Sequence, residues 1–170
     1  MARLFFALWP DETLRLSLAR WSREAHAVAG GRMTQPRNLH MTLAFLGETD
    51  ATLMPELESA AASVSIEPCV MTLDRCGWWK HNRIVWARGA APAALLDAVA
   101  RLRKGLDAAG VSFDHKAFLP HVTLLRKSAA AQLPQLEPLA WPVSRFVLVA
   151  TEHDAKGPLY RIAGGPDGTG

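Results

Sequence analysis

The chain has 170 residues, of which 49% are hydrophobic and 21% are charged, so it is long and apolar enough to fold around a core rather than stay disordered. Its formal net charge of +3 and pI near 9.2 favour an anionic ligand but exclude the strongly basic surface of a protein that coats DNA. Two cysteines, Cys69 and Cys76, are too few for a disulfide framework and lack the paired spacing of a zinc site.

The first segment, residues 3–9 (RLFFALW), has the composition of a buried strand and is followed by Pro10 and two acidic residues. It lacks the small-residue cleavage site of a signal peptide, and no apolar run approaches the roughly 20 residues that span a bilayer. We therefore expect no membrane segment and a cytoplasmic protein. Asp11 can cap a following helix that ends at Gly30 and Gly31. The predicted apolar face of that helix consists of Leu14, Leu18, Trp21, Ala25 and Val28.

The next part of the chain alternates between strand-like and helix-like segments. Residues 39–46 (LHMTLAFL) predict a strand, and residues 52–64 predict a helix with Pro55 in its first turn. Two further strands, 68–76 and 83–88, are expected to form a hairpin across the sequence GWWKHN.

The second half continues in the same manner. Pro92 opens a predicted helix that Gly110 closes. Residues 120–126 (PHVTLLR) resemble the 39–46 strand, and the segments 143–151 and 158–162 predict a closing pair of strands. The predicted apolar face of the helix consists of Leu95, Leu96, Val99, Leu102 and Leu106.

This order of elements, with hairpins among alternating strands and helices, favours an α+β fold with largely antiparallel sheets over a doubly wound parallel sheet. We expect one domain over residues 1–163, followed by a disordered tail at 164–170. The sequence contains neither a dinucleotide-binding glycine motif nor a P-loop.

One short motif occurs twice. His-x-Thr-Leu is found at residues 40–43 and again at 121–124, 81 residues later (121 − 40). For any one histidine a chance match at these offsets is on the order of one in a hundred, so two copies among six histidines indicate a duplicated structural unit. The spacing fits two pseudo-symmetric lobes rather than a solenoid.

On a strand, residues two apart point to the same side, so each motif presents an imidazole and a hydroxyl together. His40 and Thr42 are expected opposite an apolar face that includes Phe45, and His121 and Thr123 are expected in the equivalent positions. If the lobes face each other, all four side chains line one cleft. Strict alternation places Arg126 on the face opposite His121, so Arg126 reaches that cleft only if the strand ends or bulges there.

Two imidazoles suit acid–base chemistry near neutral pH, because one ring can be neutral while the other is protonated. Two threonine hydroxyls can hold phosphate oxygens. Neither motif carries a carboxylate or a cysteine, so we expect no metal site here unless ligands are recruited from elsewhere in the chain. The alternative for each histidine is an ordinary strand residue bonded to its surroundings, which does not explain why His and Thr recur together.

These motifs resemble the 2H phosphoesterases, and within them the RNA 2′,3′-cyclic phosphodiesterases, historically called 2′-5′ RNA ligases. The blocks RLFFALWPDE, NLHMTLAFLGE, RIVWARG and PHVTLLRKS carry the resemblance nearly from end to end. It implies a bilobal α+β fold with a central cleft, no cofactor, and hydrolysis of a 2′,3′-cyclic phosphate to a 2′-phosphomonoester, with weak reverse 2′-5′ ligation. The implied partner is an RNA with a cyclic phosphate end, and the protein is expected to be a monomer.

The resemblance also implies roles for individual residues. His40 would donate a proton to the departing 3′ oxygen, and His121 would accept one from water. Thr42, Thr123 and Arg126 would hold the phosphate. The spacing alone does not say which histidine is the acid. Two alternatives remain, a nucleotide- or RNA-binding module without catalysis and a cyclic phosphodiesterase acting on a small nucleotide.

Aromatic residues outside the motifs are weaker candidates. Trp78 and Trp79 lie in the predicted hairpin turn beside basic residues and could stack on the terminal base, or could cover the edge of a core. Phe6 and Phe45 are expected to pack in the core. The resemblance places Tyr160 near the cleft.

Overall fold

A computed structural model of the chain describes residues 1–164, and the predicted tail lies outside them except for Gly164, which ends the last strand. The described residues form ten strands and three α-helices. In chain order these are β1 (Ala2–Leu8), α1 (Glu12–Ala29), β2 (Arg32–Met33), β3 (Met41–Thr49), α2 (Met54–Ala62), β4 (Cys69–Leu73), β5 (Arg75–Trp79), β6 (Ile84–Arg88), α3 (Ala93–Ala108), β7 (Val122–Arg126), β8 (Leu139–Val143), β9 (Val147–Asp154) and β10 (Gly157–Gly164).

Two four-stranded antiparallel sheets dominate the described residues. The sheet of the first lobe has the order β10-β9-β1-β3, and the sheet of the second lobe has the order β2-β7-β6-β5. A separate pair, β4 with β8, completes the strands. The predicted α+β fold with antiparallel sheets is therefore confirmed. No helix within residues 1–164 combines the length and apolar content needed to cross a membrane.

The two lobes share one local plan. In each lobe a strand is followed by a helix and then by the motif strand, which returns antiparallel to the first strand: β1–α1–β3 in one lobe and β6–α3–β7 in the other. The register also matches, because Thr42 lies opposite Ala7 and Thr123 lies opposite Trp86 at equivalent points of the two ladders. The duplicated motif thus marks a duplicated strand–helix–strand unit.

The first helix begins and ends as its sequence predicts. The Asp11 carboxylate accepts a hydrogen bond from the Leu14 backbone N–H at 2.8 Å, which satisfies one of the free donors of the first turn. Gly30 ends the helix at a φ of +61°, a backbone conformation that glycine adopts without steric cost. Four predicted face residues are buried, but Val28 is 52% exposed, so its assignment to the apolar face is wrong.

The third helix follows Pro92 and buries four of the five residues predicted for its apolar face. Leu96 is 47% exposed, so that prediction is wrong. Both α1 and α3 lie against motif strands, since α1 contacts β7 and α3 contacts β3. Each helix of one lobe therefore packs on the motif strand of the other, which joins the two lobes through a common core.

Several strand boundaries differ from the prediction. The predicted strand 68–76 is interrupted at Asp74, so β4 and β5 belong to different sheets. The β5–β6 hairpin turns at residues 80–83, which places Trp78 and Trp79 within β5 rather than in the turn. Strand β8 and the two-residue β2 were not predicted.

Candidate active site

The two motif histidines stand immediately before their strands rather than inside them, His40 ahead of β3 and His121 ahead of β7. Each ring makes the same local hydrogen bond. Nδ1 of His40 donates to the carbonyl oxygen of Asn38 at 2.6 Å, and Nδ1 of His121 donates to that of Leu119 at 2.7 Å. Because a carbonyl only accepts, Nδ1 carries the hydrogen in both neutral rings, and Nε2 is the nitrogen left to exchange a proton.

Each motif strand contains a β-bulge directly after its threonine. The β1–β3 ladder skips Leu43, and the β6–β7 ladder skips Leu124. A bulge reverses the alternation of side chains. The fifth residue after each histidine therefore returns to the histidine's side, and both Phe45 and Arg126 line the cleft. Phe45 does pack against a small core cluster that includes Phe5 and Val149, as predicted, but it also lines the cleft, which was not predicted. Arg126 reaches the cleft because the strand bulges, which is the condition that the sequence set for it.

The carbonyl group freed by each bulge has a specific partner. The Leu43 oxygen accepts two hydrogen bonds from the Arg103 guanidinium of α3, at 3.2 and 3.0 Å. The Leu124 oxygen accepts one from the backbone N–H of Thr34 at 2.9 Å. Since buried carbonyl groups left without a donor are costly, these contacts stabilise the two bulges.

The two lobes enclose one cleft, with a volume of about 430 Å³, that all five predicted phosphate-site residues line. His40, Thr42, His121, Thr123 and Arg126 thus come together from two separate sheets. The Thr42 hydroxyl lies 3.0 Å from Nε2 of His40 and donates to it when the ring is neutral. Phe6, by contrast, is fully buried in the core, as predicted.

Aromatic rings surround His40. Trp9 stacks on it at 5.6 Å with an interplanar angle of 13°, Phe5 lies at 4.9 Å, and Tyr160 meets it edge-on at 5.2 Å between ring centroids. Tyr160 also lines the cleft, which is where the resemblance placed it. Trp9 and Phe5 were not among the candidates, because nothing in an apolar N-terminal strand distinguishes cleft residues from core residues.

Burial lowers the pKa of His40 to about 4, against the opposing effect of its backbone hydrogen bond, with smaller contributions from His121 and Arg126. The pKa of His121 is also lowered, first by burial and then by the charges of Arg88 and Arg126, while its backbone hydrogen bond acts in the other direction. Arg126 therefore disfavours the protonated form of both rings.

The two tryptophans differ in their contacts. Trp79 meets the His121 ring edge-on at 4.9 Å and also packs near Trp86. The Trp78 indole N–H donates to the carbonyl oxygen of Ser128 at 3.3 Å, and its ring packs against the core. Of the pair, Trp79 is the one in contact with a motif histidine.

Asn38 is a site residue that the sequence did not single out. It is only 5% exposed, and its side chain pairs with strand β10: the amide N–H donates to the Pro158 carbonyl at 2.6 Å, and the amide oxygen accepts from the Tyr160 N–H at 3.3 Å. Its backbone carbonyl holds His40. The equivalent position before the second histidine is Leu119, so the repeat carries no signal for this role.

Possible metal ligands are sparse in the described part of the chain. Within residues 1–164, no group of three or more His, Cys, Asp or Glu side chains is clustered closely enough to hold a metal ion. Cys76 is partly buried, which raises the pKa of its thiol to about 11.

Comparison with known proteins gives consistent matches. A family model described as LigT-like phosphoesterase matches residues 8–86. The RNA 2′,3′-cyclic phosphodiesterase of Escherichia coli (strain K12) is 32% identical over 152 residues, covering 88% of this chain and 86% of that protein. The protein of the same name from Thermus thermophilus is 31% identical over 172 residues, covering 94% and 87%. The crystal structure of E. coli LigT complexed with 3′-AMP superposes with a TM-score of 0.81 at 29% identity, covering 96% of each chain.

Proposed function

Because the chain belongs to the LigT-like phosphoesterase family, we propose that it hydrolyses the 2′,3′-cyclic phosphate at an RNA end to a 2′-phosphomonoester. The family assignment confirms the resemblance noted in the sequence. The E. coli and T. thermophilus relatives are both named RNA 2′,3′-cyclic phosphodiesterase, and an E. coli LigT structure contains 3′-AMP. Nucleotide ends are accordingly the substrate class we assign to this cleft.

The observation that carries the proposal is the convergence of two imidazoles, two hydroxyls and one guanidinium on a single cleft from two lobes. An imidazole pair can move a proton onto one oxygen and away from another in a single displacement. The hydroxyls and the guanidinium match the oxygens of a phosphodiester, which accept hydrogen bonds and carry negative charge.

In the proposed reaction, neutral His121 takes a proton from a water molecule as its oxygen attacks phosphorus. The bond between phosphorus and the 3′ oxygen breaks, and protonated His40 gives that oxygen a proton. The products are a 3′ hydroxyl and a 2′ phosphate. Thr42, Thr123 and Arg126 hold the remaining phosphate oxygens, and proton exchange with solvent resets the two rings. If a 5′ hydroxyl attacks phosphorus in place of water, and loses its proton to His121 while the 3′ oxygen leaves with a proton from His40, the product is a 2′,5′ linkage.

The lowered pKa of His40 has a consequence for this scheme. At about 4, the free ring is neutral near pH 7, so His40 must gain a proton as substrate binds. The negative charge of the cyclic phosphate favours that protonation, because an adjacent anion raises the pKa of an imidazole. Binding and protonation of the acid are thus coupled. No metal ion enters the proposed steps.

The test is hydrolysis of a cyclic-phosphate-ended oligonucleotide in excess EDTA, with identification of the product isomer. We expect a 2′ phosphate, and a loss of roughly 10²- to 10⁴-fold in kcat for His40→Ala and for His121→Ala. The matched control is His115→Ala, since His115 is exposed and does not line the cleft. Circular dichroism checks that each variant folds.

Three outcomes contradict the proposal in different ways. Undiminished turnover in either cleft variant refutes the acid–base pair, and a 3′ phosphate product refutes the assigned leaving group. Saturable binding without product identifies a nucleotide-binding module instead.

A further inference from the structure

A second groove opens from the cleft and shares five of its residues, His40, Thr123, Arg126, Pro158 and Tyr160. We call it the strand groove. Its other polar residues lie on the segment after α1 and on the β9–β10 turn, and they include Arg32, Thr34, Gln35 and Lys156. Three cationic side chains therefore line a continuous path that begins at the proposed phosphate site.

Two of these cations stand directly opposite each other. Arg32 of β2 pairs with Arg126 of β7 in the antiparallel ladder. Like charges on directly opposed positions destabilise a sheet. Both arginines are exposed, and within the described part of the chain neither forms a salt bridge. A pairing that opposes folding, with no internal anion to offset it, points to an external anion.

The backbone holds the two arginines in this arrangement. Gly31 has a φ of +88° and packs so closely on β7 that an added Cβ would lie 2.4 Å from the Arg126 carbonyl oxygen. The Thr34 hydroxyl bonds to the Thr123 carbonyl at 2.9 Å on the other side of β2. This short strand is therefore fixed against β7 at both ends, and Arg32 keeps its position beside Arg126.

The opposite wall is tied to the residues that precede His40. The Gln35 amide donates to the Lys156 carbonyl, and Asp154, whose carboxylate pairs with Arg37, also accepts from the Lys156 N–H at 2.8 Å. The turn that carries Lys156 is therefore held over the groove by several hydrogen bonds.

We propose that the strand groove binds the phosphodiester on the 5′ side of the terminal nucleotide, with Arg32 contacting that phosphate while Arg126 contacts the cyclic phosphate. Cβ atoms of directly opposed strand residues lie about 4.5–5.5 Å apart, so two flexible guanidinium groups can reach two phosphates of one nucleotide. Lys156 lies on the path of the preceding nucleotide. This inference rests on the proposed function and names its substrate as an RNA strand rather than a free nucleoside cyclic phosphate.

The experiment isolates one phosphate. The substrates are a nucleoside 2′,3′-cyclic phosphate with a 5′ hydroxyl, the same compound with a 5′ phosphate, and a dinucleotide with a cyclic end. We expect the wild type to prefer the two substrates that carry a phosphate on the 5′ side. Arg32→Gln should lower the kcat/KM ratio of the 5′-phosphorylated to the 5′-hydroxyl substrate about tenfold, which is the effect expected for the loss of one charge-assisted hydrogen bond. Arg32→Lys keeps the charge and should restore part of the ratio.

The matched control is Arg23→Gln, which removes the same charge from an exposed position on α1 that does not line the groove. It should leave the ratio unchanged. As a second measurement, log(kcat/KM) for the dinucleotide should fall with log salt concentration. In Arg32→Gln this negative slope should become shallower by about 0.7, because one phosphate contact to a single strand is lost.

Two results refute phosphate binding by the strand groove while the hydrolytic function stands. One is a wild-type kcat/KM that is the same for the 5′-phosphorylated and 5′-hydroxyl substrates, and the other is a preference that Arg32→Gln leaves unchanged. Failure of the wild type to hydrolyse any of the three substrates overturns the proposed function itself.

Discussion

Asn38 contributes both to the stability of the fold and to the position of His40. Its replacement by alanine should therefore lower both the free energy of unfolding and kcat/KM. The substitution removes two side-chain hydrogen bonds to β10, at 2.6 and 3.3 Å, from a residue that is 5% exposed. Each such bond contributes about 1 kcal/mol net, so we expect Asn38→Ala to lower the free energy of unfolding by about 2 kcal/mol. The backbone carbonyl that holds His40 remains, but Tyr160 loses its anchor, and kcat/KM should fall as well.

The measurement is equilibrium urea unfolding followed by tryptophan fluorescence, with kcat/KM measured in parallel. The control is Arg37→Ala, which breaks the ion pair that ties the same two segments together at 2.8 Å. Because this pair is partly exposed, its loss should cost less and should shrink at high salt, whereas the Asn38→Ala loss should not depend on salt. An Asn38→Ala protein as stable as wild type, or an Arg37→Ala protein less stable than Asn38→Ala, refutes the reasoning.

Three further predictions concern single groups of the site. Thr123→Val, which keeps the shape but removes the hydroxyl, should lower kcat/KM about 10- to 100-fold through one lost hydrogen bond to a charged phosphate, whereas an unchanged value would remove this residue from the phosphate site. Because the pKa of each imidazole is lowered, kcat/KM should decline on the alkaline side with a midpoint below 6.5, the ordinary value for histidine. Arg126→Gln should raise the pKa of both imidazoles and so move the whole profile to higher pH. Arg88→Gln should move only the limb that reports His121. A profile that Arg126→Gln leaves in place contradicts the assignment of the two limbs to His40 and His121. Arg103→Met removes the donor from the Leu43 carbonyl and should lower the free energy of unfolding by about 1.5–3 kcal/mol, as read from urea denaturation; no loss would mean that the bulge does not depend on α3.

The duplicated motif predicted the fold and the convergence of the cleft well, because it rests on residue identity and chain order. Strand–helix–strand units of similar sequence fold alike, and capping residues such as Asp11 and Gly30 mark their helix ends locally. The prediction was weakest where a contact between residues far apart in the sequence determines whether a strand forms. Strand β2 has only two residues, and β8 contains Pro142, which is tolerated in a two-stranded pair but suppresses any strand pattern.

The bulges explain why Phe45 lines the cleft, which the sequence did not predict. A period of two describes a regular strand, and one extra residue reverses the orientation of everything after it. The reversal moved Phe45 into the cleft and Ala44 into the core, yet the residues around Leu43 do not announce a bulge, because its stabilising partner, Arg103, lies 60 positions away in the sequence. The local sequence therefore lacks the information that decides which side chains face the cleft.

Because both lobes contain the same bulge, their motif backbones are alike. The difference between a proton donor and a proton acceptor must therefore come from the side chains around each histidine. At the fifth position after each histidine the first lobe carries Phe45 and the second carries Arg126. Trp9 follows β1 and stacks on His40, whereas Arg88 ends β6 and acts on His121. His40 thus has three aromatic neighbours and the charge of Arg126, whereas His121 has one aromatic neighbour, Trp79, and the charges of Arg88 and Arg126. Burial lowers the pKa of His40 and so makes its protonated form a strong acid, while Arg88 acts on His121 alone and helps to keep that ring neutral and able to accept a proton. This difference supports the proposed assignment of donor and acceptor.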